Sequence, residues 1–166
     1  MTFRALDRAR DRAALADLFD RAADYIALER GVPPDDAMID ELFDDAPPGL
    51  GPEDVAVYGA FGAGRLQAVS ALAFGWPEPD DAYLGLLLVA AEARGAGLGA
   101  RVLAASEEVC RGNGMRRFLL AVLDANPRAR AFWELAGFEA VIEGIPVQMG
   151  LRDHTAARMM KRLGGA

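Results

Sequence analysis

The chain has 166 residues, a length typical of one domain with a sizeable core, so we expect a single domain over residues 1–166. Hydrophobic residues at 52% and charged residues at 26% argue against a disordered, collagen-like or coiled-coil chain. The formal net charge of −7 disfavours nucleic acid as a partner, and one cysteine and one histidine leave neither a disulfide framework nor a metal site.

The N-terminal half of the sequence predicts a short strand, two helices and a hairpin. Residues 1–10 are charged and lack the apolar segment of a signal peptide, and no run approaches about 18 apolar residues, so we expect a cytoplasmic protein outside the membrane. Apolar residues recur at helical spacing in two segments, and turn residues separate two later apolar runs. The predicted elements are the strand Phe3–Leu6, helices over Asp11–Ile26 and Met38–Phe43, and the strands Val55–Phe61 and Leu66–Phe74.

The C-terminal half predicts strands that alternate with helices. Tyr83–Val89 is apolar almost throughout, as expected of a central strand buried on both faces. Asn126 followed by Pro127 is a favoured helix start, and Cys110 falls on the apolar face of the helix before it, where we expect a core residue. The other predicted elements are a helix from Leu98 to Gly112, the strand Arg117–Leu123, a helix from Asn126 to Gly137, and the strands Phe138–Glu143 and Thr155–Leu163, with residues 144–154 as loop or strand.

This order of elements predicts an α/β fold of the α+β type. Hairpins combine with one strand–helix–strand crossover, so we expect a mixed antiparallel and parallel central sheet of six to seven strands with helices on both faces.

The most informative segment is the glycine-rich turn that follows the central strand. Residues 94–99, Arg-Gly-Ala-Gly-Leu-Gly, lead from this strand into a helix. Such a turn exposes backbone N–H groups at the positive end of a helix dipole, which favours a phosphate, although glycines also serve simply to make a tight turn. A P-loop would need Gly-Lys-Ser/Thr, but Ala100 and Arg101 follow Gly99, and the dinucleotide fingerprint needs a wider glycine spacing.

The sequence resembles the Gcn5-related N-acetyltransferase (GNAT) superfamily at two separate places. The first is the glycine turn, which is similar to the acetyl-coenzyme A pyrophosphate loop of that superfamily. The second is residues 126–138, Asn-Pro-Arg-Ala-Arg-Ala-Phe-Trp-Glu-Leu-Ala-Gly-Phe, which is similar to its following helix and Gly-Phe exit. The resemblance implies a GNAT-like fold over nearly the whole chain.

The resemblance also implies how acetyl-coenzyme A (acetyl-CoA) binds. Main-chain groups of Leu87 and Val89 would hold the pantetheine arm, and Asn126 would contact it from the other side. Arg94 would add a charged contact to phosphate, or else remain a solvated loop residue. The implied cofactor-binding residues are Leu87, Leu88, Val89, Arg94, Gly95, Ala96, Gly97, Leu98, Gly99, Ala100, Asn126, Phe132 and Trp133.

The implied reaction is the attack of a neutral amine on the thioester carbonyl. The amine must lose a proton, the oxyanion needs a donor such as the N–H of Leu88 or Val89, and the thiolate must leave. In many members of the superfamily a tyrosine seven residues after the capping asparagine serves the sulfur, but this chain has Trp133 there. Its indole has an N–H donor but no titratable proton at neutral pH, so it would hydrogen-bond the sulfur or line the pocket.

The catalytic base has several candidates. We favour Asp81, because some members of the superfamily carry a carboxylate about this far before the glycine turn, and Tyr83 shares its strand face. Tyr25 and Glu29 end the first helix, which borders the acceptor site in the superfamily. Any of these is also a possible surface residue, His154 is more simply a loop histidine, and a water chain is an alternative base.

The charge distribution suggests the acceptor. Eight acidic residues and no basic one lie between residues 35 and 54, and residues 78–81 add three more. We therefore expect an acidic mouth and a small cationic amine, or a lysine-rich peptide, as acceptor, unless these carboxylates only solubilise the surface. The expected protein is a monomer or homodimer. The alternatives are a catalytically weak acyl-CoA-binding or sensor module of the same fold, and an unrelated nucleotide-binding α/β domain.

Overall fold

The computed structural model describes residues 1–164. Within this range the chain forms a seven-stranded sheet, five α-helices and two short 3-10 helices, at Pro52–Asp54 and Ala91–Ala93. The strands and helices in chain order are β1 (Thr2–Ala5), α1 (Arg12–Arg21), α2 (Ala23–Arg30), α3 (Asp36–Asp44), β2 (Val55–Gly62), β3 (Arg65–Phe74), β4 (Asp81–Val89), α4 (Leu98–Gly112), β5 (Arg117–Leu123), α5 (Pro127–Leu135), β6 (Glu139–Met149) and β7 (Arg152–Arg162).

The sheet is mixed, which confirms the predicted fold class. Its strand order is β1-β2-β3-β4-β5-β7-β6, and the pair β4–β5 is parallel whereas the others are antiparallel. The segment that the sequence left as loop or strand is strand almost throughout, because β6 continues to Met149. Pro146 is tolerated there because β6 is an edge strand. One side of the β6 backbone has no neighbouring strand, so the N–H that proline lacks is not needed on that side.

Helices α1–α3 cover one face of the sheet, which we call the front face. Their apolar residues at helical spacing, including Leu15, Leu18 and Ile39, pack against Val69 of β3 and Leu88 of β4. The predicted first helix is wrong in one respect, since it is divided into α1 and α2 at Ala22, whose backbone leaves the helical region. Ala22 is fully buried, so the break occurs where the chain turns against the core rather than at a glycine or proline.

Helices α4 and α5 cover the opposite face, which we call the back face. Leu103 and Cys110 of α4 and Trp133 of α5 form one cluster with Leu84 of β4 and Phe118 of β5. Cys110 is fully buried, as expected, and burial raises the pKa of its thiol to about 12. No helix within residues 1–164 has the length and apolar character needed to cross a membrane.

Candidate functional site

A β-bulge at Gly85 interrupts the central strand. Leu84 pairs with Leu72 of β3 and Leu86 pairs with Ala71, so Gly85 is an extra residue on β4. On the other side of β4, pairing with β5 ends at the same point, at Leu84 opposite Leu120. Because a bulge bends its strand and increases the local twist, it separates β4 from β5 beyond Leu84. The result is a cleft between two strands in the middle of the sheet.

The β4 side of this cleft is an unpaired strand edge. The Ala90 N–H donates to the Gln67 carbonyl of β3 at 2.9 Å, so by alternation Leu88 also exchanges its hydrogen bonds with β3. The main-chain groups of Leu87 and Val89 therefore face the cleft, as the resemblance implies for a pantetheine arm. Leu88, one of the two expected oxyanion donors, has its N–H turned to β3.

The glycine turn lies at the end of this edge. Gly95 and Gly97 have positive φ angles of 82° and 77°, and a Cβ atom added to either would meet no atom within 4 Å. The amides of residues 95–100 have no hydrogen-bond acceptor within the described residues. The amides of residues 98–100 are unpaired donors of the kind that every helix N-terminus leaves, here in the first turn of the 15-residue helix α4, and those of residues 95–97 directly precede it. The predicted residues thus form a cradle for an anion.

Helix α5 supplies the wall of the cleft opposite β4. Asn126 caps the helix by accepting from the Ala129 N–H at 3.1 Å, which leaves its amide nitrogen free beside the cleft. Trp133 also lines the cleft, is 8% exposed, and packs edge-on against Phe132 and Phe138. Phe132 contacts the glycine turn, because a Cβ on Gly99 would lie 3.6 Å from its ring.

Arg94 has protein partners in this structure. Its guanidinium forms two hydrogen bonds with the Asp24 carboxylate, at 2.6 and 3.0 Å, and its Nε donates to the Val89 carbonyl at 3.0 Å. Arg94 therefore links α2 to the end of β4. The phosphate contact implied by the resemblance stays a prediction.

Tyr25 and Glu29 of α2 lie where the cleft meets a second cavity. This second cavity, which we call the helix cavity, has a volume of about 140 Å³ and lies between α2, α3 and the front face of the sheet. Both residues line the helix cavity and the cleft, because they are four residues apart on one side of α2. The structure thus brings the two predicted acceptor-site residues to the junction.

Burial changes the acid–base properties of this pair. Burial raises the pKa of the Glu29 carboxyl, an effect that the Tyr25 hydroxyl and the charge of Arg30 partly offset. Burial and the adjacent Glu29 carboxylate raise the pKa of the Tyr25 hydroxyl, so that it stays protonated at physiological pH. Glu29 is therefore a stronger base than an exposed carboxylate, beside a permanent hydrogen-bond donor.

The tip of the β6–β7 hairpin docks on the end of α2. The Leu151 N–H donates to the Arg30 carbonyl at 2.9 Å, Arg152 Nε donates to the Ala27 carbonyl at 3.1 Å, and His154 Nε2 lies 2.6 Å from the Glu29 carbonyl. Gly150, with a φ of 56°, packs so closely that a Cβ would lie 2.7 Å from the Arg30 carbonyl oxygen. His154 therefore belongs to the docked hairpin and contacts the Glu29 backbone.

Tyr83 lines a third cavity, which we call the aromatic cavity. It has a volume of about 380 Å³, and Trp76 packs edge-on against Tyr83 with ring centroids 4.9 Å apart. Asp45 lines both the aromatic and the helix cavities, and Gly85 lines these two and the cleft, so the three spaces adjoin. The sequence pointed to Asp45 only as one of eight acidic residues, and it did not point to Trp76 or Gly85, although an isolated glycine in a strand is a known sign of a bulge.

Asp81 is not brought to the cleft. It is fully buried at the start of β4, and its carboxylate forms two hydrogen bonds with the Arg117 guanidinium, at 2.6 and 2.7 Å. The two residues are neighbours because Asp81 lies directly opposite Arg117 in the parallel pair. The favoured base is thus in a structural ion pair, at the end of β4 away from the bulge and the glycine turn.

The acidic segment is partly neutralised, since three of its eight carboxylates form ion pairs with arginines. Asp40 pairs with Arg12 at 2.9 Å, Glu41 pairs with Arg30 at 2.7 Å, and Asp44 pairs with Arg8. Asp35 and Asp54 accept hydrogen bonds from backbone N–H groups. Of the eight carboxylates, Glu41 and Asp45 line the cavities of the site, so the expected acidic mouth is reduced to these two and Glu29.

Comparison with known proteins identifies the kind of fold that carries this site. The model of the acetyltransferase (GNAT) family matches residues 12–138. An acetyltransferase structure from Thermus thermophilus is 25% identical, with a TM-score of 0.76 over 98% of this chain and 97% of that chain. A ribosomal-protein-alanine N-acetyltransferase from Brucella melitensis is 19% identical, with a TM-score of 0.71 over 98% of this chain and 99% of that chain.

A nourseothricin acetyltransferase is also similar, with 22% identity and a TM-score of 0.61, over 72% of this chain and 71% of that chain. No curated protein sequence matches the chain significantly. The likeness to the structures from Thermus thermophilus and Brucella melitensis spans nearly the whole chain, from β1 to β7.

Proposed function

Because the chain belongs to the GNAT acetyltransferase family, we propose that it transfers the acetyl group of acetyl-CoA to a primary amine of a small molecule. The observation that carries this proposal is the continuous open surface formed by the unpaired edge of β4 and the acceptor-free amides of the glycine turn. An extended chain with a pyrophosphate at one end satisfies both features, since strand addition pairs the edge and an anion accepts from the amides.

The donors and acceptors along the cleft match the groups of acetyl-CoA, although the Val89 carbonyl also accepts from Arg94 Nε. The amides of Gly95–Ala100 would hold the pyrophosphate, and the absence of side chains at Gly95 and Gly97 leaves room for its oxygens. Leu87 and Val89 would pair with the pantetheine amides, and the free amide nitrogen of Asn126 would donate from the opposite wall. The bound cosubstrate would supply an activated acetyl thioester, and the open N–H groups of Leu87 and Val89 are the donors available to its carbonyl oxygen.

Glu29 is the group that we propose removes a proton from the amine. An alkyl ammonium must become neutral before it attacks, and a base acts only if it reaches the proton. Glu29 borders both the cleft and the helix cavity, and burial raises the pKa of its carboxyl toward that of the amine. Tyr25, which is protonated beside it, would donate a hydrogen bond to the carboxylate.

Trp133 has a limited part in this proposal. It walls the cleft and is held by Phe132 and Phe138, and within residues 1–164 its indole N–H has no acceptor. The indole can donate a hydrogen bond to the sulfur but cannot protonate it. The thiol has an unperturbed pKa of about 8.5, so the thiolate is a fair leaving group without a proton donor.

The charges that line the cavities favour an ammonium at the reacting end of the acceptor. Glu29 and Asp45 have no ion-pair partner within the described residues, whereas Glu41 is paired with Arg30. An amine would therefore be attracted in its protonated form and delivered next to Glu29. This is a local effect of two carboxylates, not the wide acidic mouth that the sequence suggested.

The test of the proposed function is amine-dependent release of coenzyme A. Purified protein with acetyl-CoA is assayed for free thiol against a panel of primary amines that includes polyamines, aminoglycosides, amino acids and a lysine-rich peptide. We expect thiol release that depends on the amine and matches the acetylated product found by mass spectrometry. Acetyl-CoA without amine, and the best amine already N-acetylated, are the controls.

The same assay separates the alternative, a module that binds acyl-CoA without catalysis. Such a module would be stabilised against thermal unfolding by acetyl-CoA but would release no thiol with any amine. No stabilisation by acetyl-CoA would contradict both functions.

A further inference from the structure

Arg158 of β7 is the one arginine within residues 1–164 that is both partly buried and without a hydrogen-bonding partner. Four other arginines also lack a carboxylate or carbonyl partner, but all four are exposed, namely Arg101, Arg116, Arg128 and Arg162. The Nε of Arg158 is the one buried side-chain polar atom of the described chain that has no partner. A buried N–H without an acceptor is costly, so this donor indicates a ligand that is bound in function.

The guanidinium of Arg158 lies over the ring of Trp76, a residue that lines the aromatic cavity. Its central carbon lies 4.8 Å from the centre of the Trp76 ring, and Trp76 and Tyr83 line that cavity. Stacking on an aromatic ring offsets the positive charge but leaves the in-plane N–H donors free. The charge of Arg158 also reaches Tyr83, where it opposes the effect of burial on the pKa of the hydroxyl. Arg158 thus lies next to two residues that line the cavity, Trp76 and Tyr83, without lining the cavity itself.

The aromatic cavity is lined by the carboxylate of Asp45, and the positive charge of Arg158 lies next to it, over the ring of Trp76. Asp45 and the junction at Gly85 lie toward Glu29, whereas Trp76 lies under Arg158. The volume of about 380 Å³ is within the range of small-molecule sites. An acceptor with an ammonium toward Glu29 and an anion toward Arg158 would satisfy both sides.

We propose that Arg158 binds the carboxylate of the acceptor, so that the substrate is a small amino acid or a molecule of the same zwitterionic kind. The two Nη groups of a guanidinium form a fork that a planar carboxylate fits with two hydrogen bonds, and in Arg158 neither of them is buried without a partner as Nε is. This inference rests on the proposed function for the position of the amine. It adds a specificity-determining residue, since Arg158 binds the end of the substrate that does not react.

The experiment compares acceptors in pairs that differ in the carboxylate alone. Each amino acid in a panel is assayed beside its primary amide, with wild-type protein and with Arg158→Gln, Arg158→Lys and the control Arg162→Gln. Arg162 lies on the same strand but is exposed and without a partner in the described chain. Because an amide also lowers the pKa of the neighbouring amine, the informative quantity is the change in the acid-to-amide ratio of kcat/KM between proteins.

We expect the wild type to favour the carboxylate form, and Arg158→Gln to reduce the acid-to-amide ratio by about tenfold to a hundredfold. Arg158→Lys keeps the charge but loses the fork, so it should restore part of the ratio. Arg162→Gln should leave the ratio unchanged, and the KM for acetyl-CoA should be unaffected in all three variants. An equal loss with both members of each pair, or a wild type that does not distinguish them, overturns the inference.

A binding measurement separates this inference from the proposed function. Calorimetry is carried out with N-acetyl amino acids and N-acetyl amino acid amides, which have no reactive amine. Preferential binding of the carboxylate form that Arg158→Gln abolishes supports the inference even if no amine is acetylated. Acetylation of amines without any carboxylate preference supports the function and overturns the inference, and neither binding nor turnover overturns both.

Discussion

At the scale of single residues, burial matters most for the chemistry of Glu29, because it raises the pKa of the carboxyl that we propose as the base. If it accepts the proton of the amine, Glu29→Gln should lower kcat by about a hundredfold or more. The KM for acetyl-CoA should remain within about twofold, because the cofactor-binding groups of β4 and the glycine turn are unchanged. Steady-state kinetics with the best amine measure both, with Asp20→Asn, an exposed carboxylate of α1, as the control.

The pH dependence of activity tests the same role. Burial raises the pKa of Glu29, and only the deprotonated form accepts a proton, so kcat should fall with decreasing pH through a pKa above the usual carboxyl range. That acidic limb should be absent from the residual activity of Glu29→Gln. If the limb persists there and disappears in Asp45→Asn, the second unpaired carboxylate is the base instead.

Substitution of Asp81, which precedes the glycine turn in the sequence, tests whether its carboxylate is catalytic or structural. Because its carboxylate is fully buried against Arg117, Asp81→Asn should lower the free energy of unfolding by about 1–3 kcal/mol. The kcat and both KM values should stay within about twofold, as urea denaturation and kinetics would show. A loss of kcat in a variant of unchanged stability would restore Asp81 as the base.

Glu29 and Asp81 also show how much of the site could be predicted from the sequence. Tyr25 and Glu29 were predictable as neighbours, because residues four apart share a helix face. The partner of Asp81 was not, since Arg117 is 36 residues away and meets it only through the parallel strand pair. That Arg158 lacks a hydrogen-bonding partner within the described residues could not be predicted either, because this depends on the burial of Nε in the folded protein and not on any local sequence pattern.

At the scale of elements, the glycine turn and α4 together form the proposed anion site. Gly97→Asp should weaken acetyl-CoA binding by well over tenfold, because it places a carboxylate beside the phosphates. Gly97→Asn is the matched control, since it has the same shape and both residues tolerate the positive φ of 77° better than other side chains do. Calorimetry with acetyl-CoA measures the difference, and equal affinities of the two variants would contradict a pyrophosphate at this turn.

The helices and strands themselves were mostly predictable, because apolar periodicity and caps are local. Asn126 with Pro127 fixed the start of α5, and the alternation of apolar runs fixed the hairpin of β2 and β3. The division of the first helix at Ala22 was not predictable, because Ala22 carries no breaking signal and the turn is imposed by packing. The cleft could not be predicted, because it depends on how β4 pairs with both β3 and β5, and the sequence of one strand does not determine these pairings.

At the scale of the whole molecule, ion pairs set the response to acid. Contacts with arginines lower the pKa of Asp11, Asp17, Asp24, Asp40, Asp44, Glu92 and Glu143. A carboxyl whose folded pKa is lowered stabilises the fold above its unfolded pKa, and this stabilisation is lost as the pH falls through the folded pKa. The free energy of unfolding should therefore decline below about pH 4, where exposed carboxyls become protonated.

Asp11 provides the sharpest form of this prediction. Its side chain is almost fully buried, and it accepts hydrogen bonds from Arg4 and from the Asp7 N–H, at 2.7 to 3.0 Å. Asp11→Asn should cost about 1–3 kcal/mol at pH 7, and the difference from wild type should shrink toward pH 2, as urea denaturation at several pH values would show. The exposed Asp153→Asn serves as the control. A difference that stays constant with pH would mean that packing, and not charge, holds Asp11.

The docking of the β6–β7 hairpin on α2 has a consequence for how such proteins diversify. The family match ends at Phe138, just before β6, so the glycine turn, the bulge and α5 lie inside it, whereas Met149, His154 and Arg158 lie beyond it. Residues 12–138 thus contain both the glycine turn and the proposed acceptor residues Tyr25 and Glu29, and the C-terminal hairpin adds the contacts that cover the end of α2. Because the tip of this hairpin meets α2 at Ala27, Glu29 and Arg30, sequence changes confined to the tip would alter the proposed acceptor side and leave the glycine turn as it is.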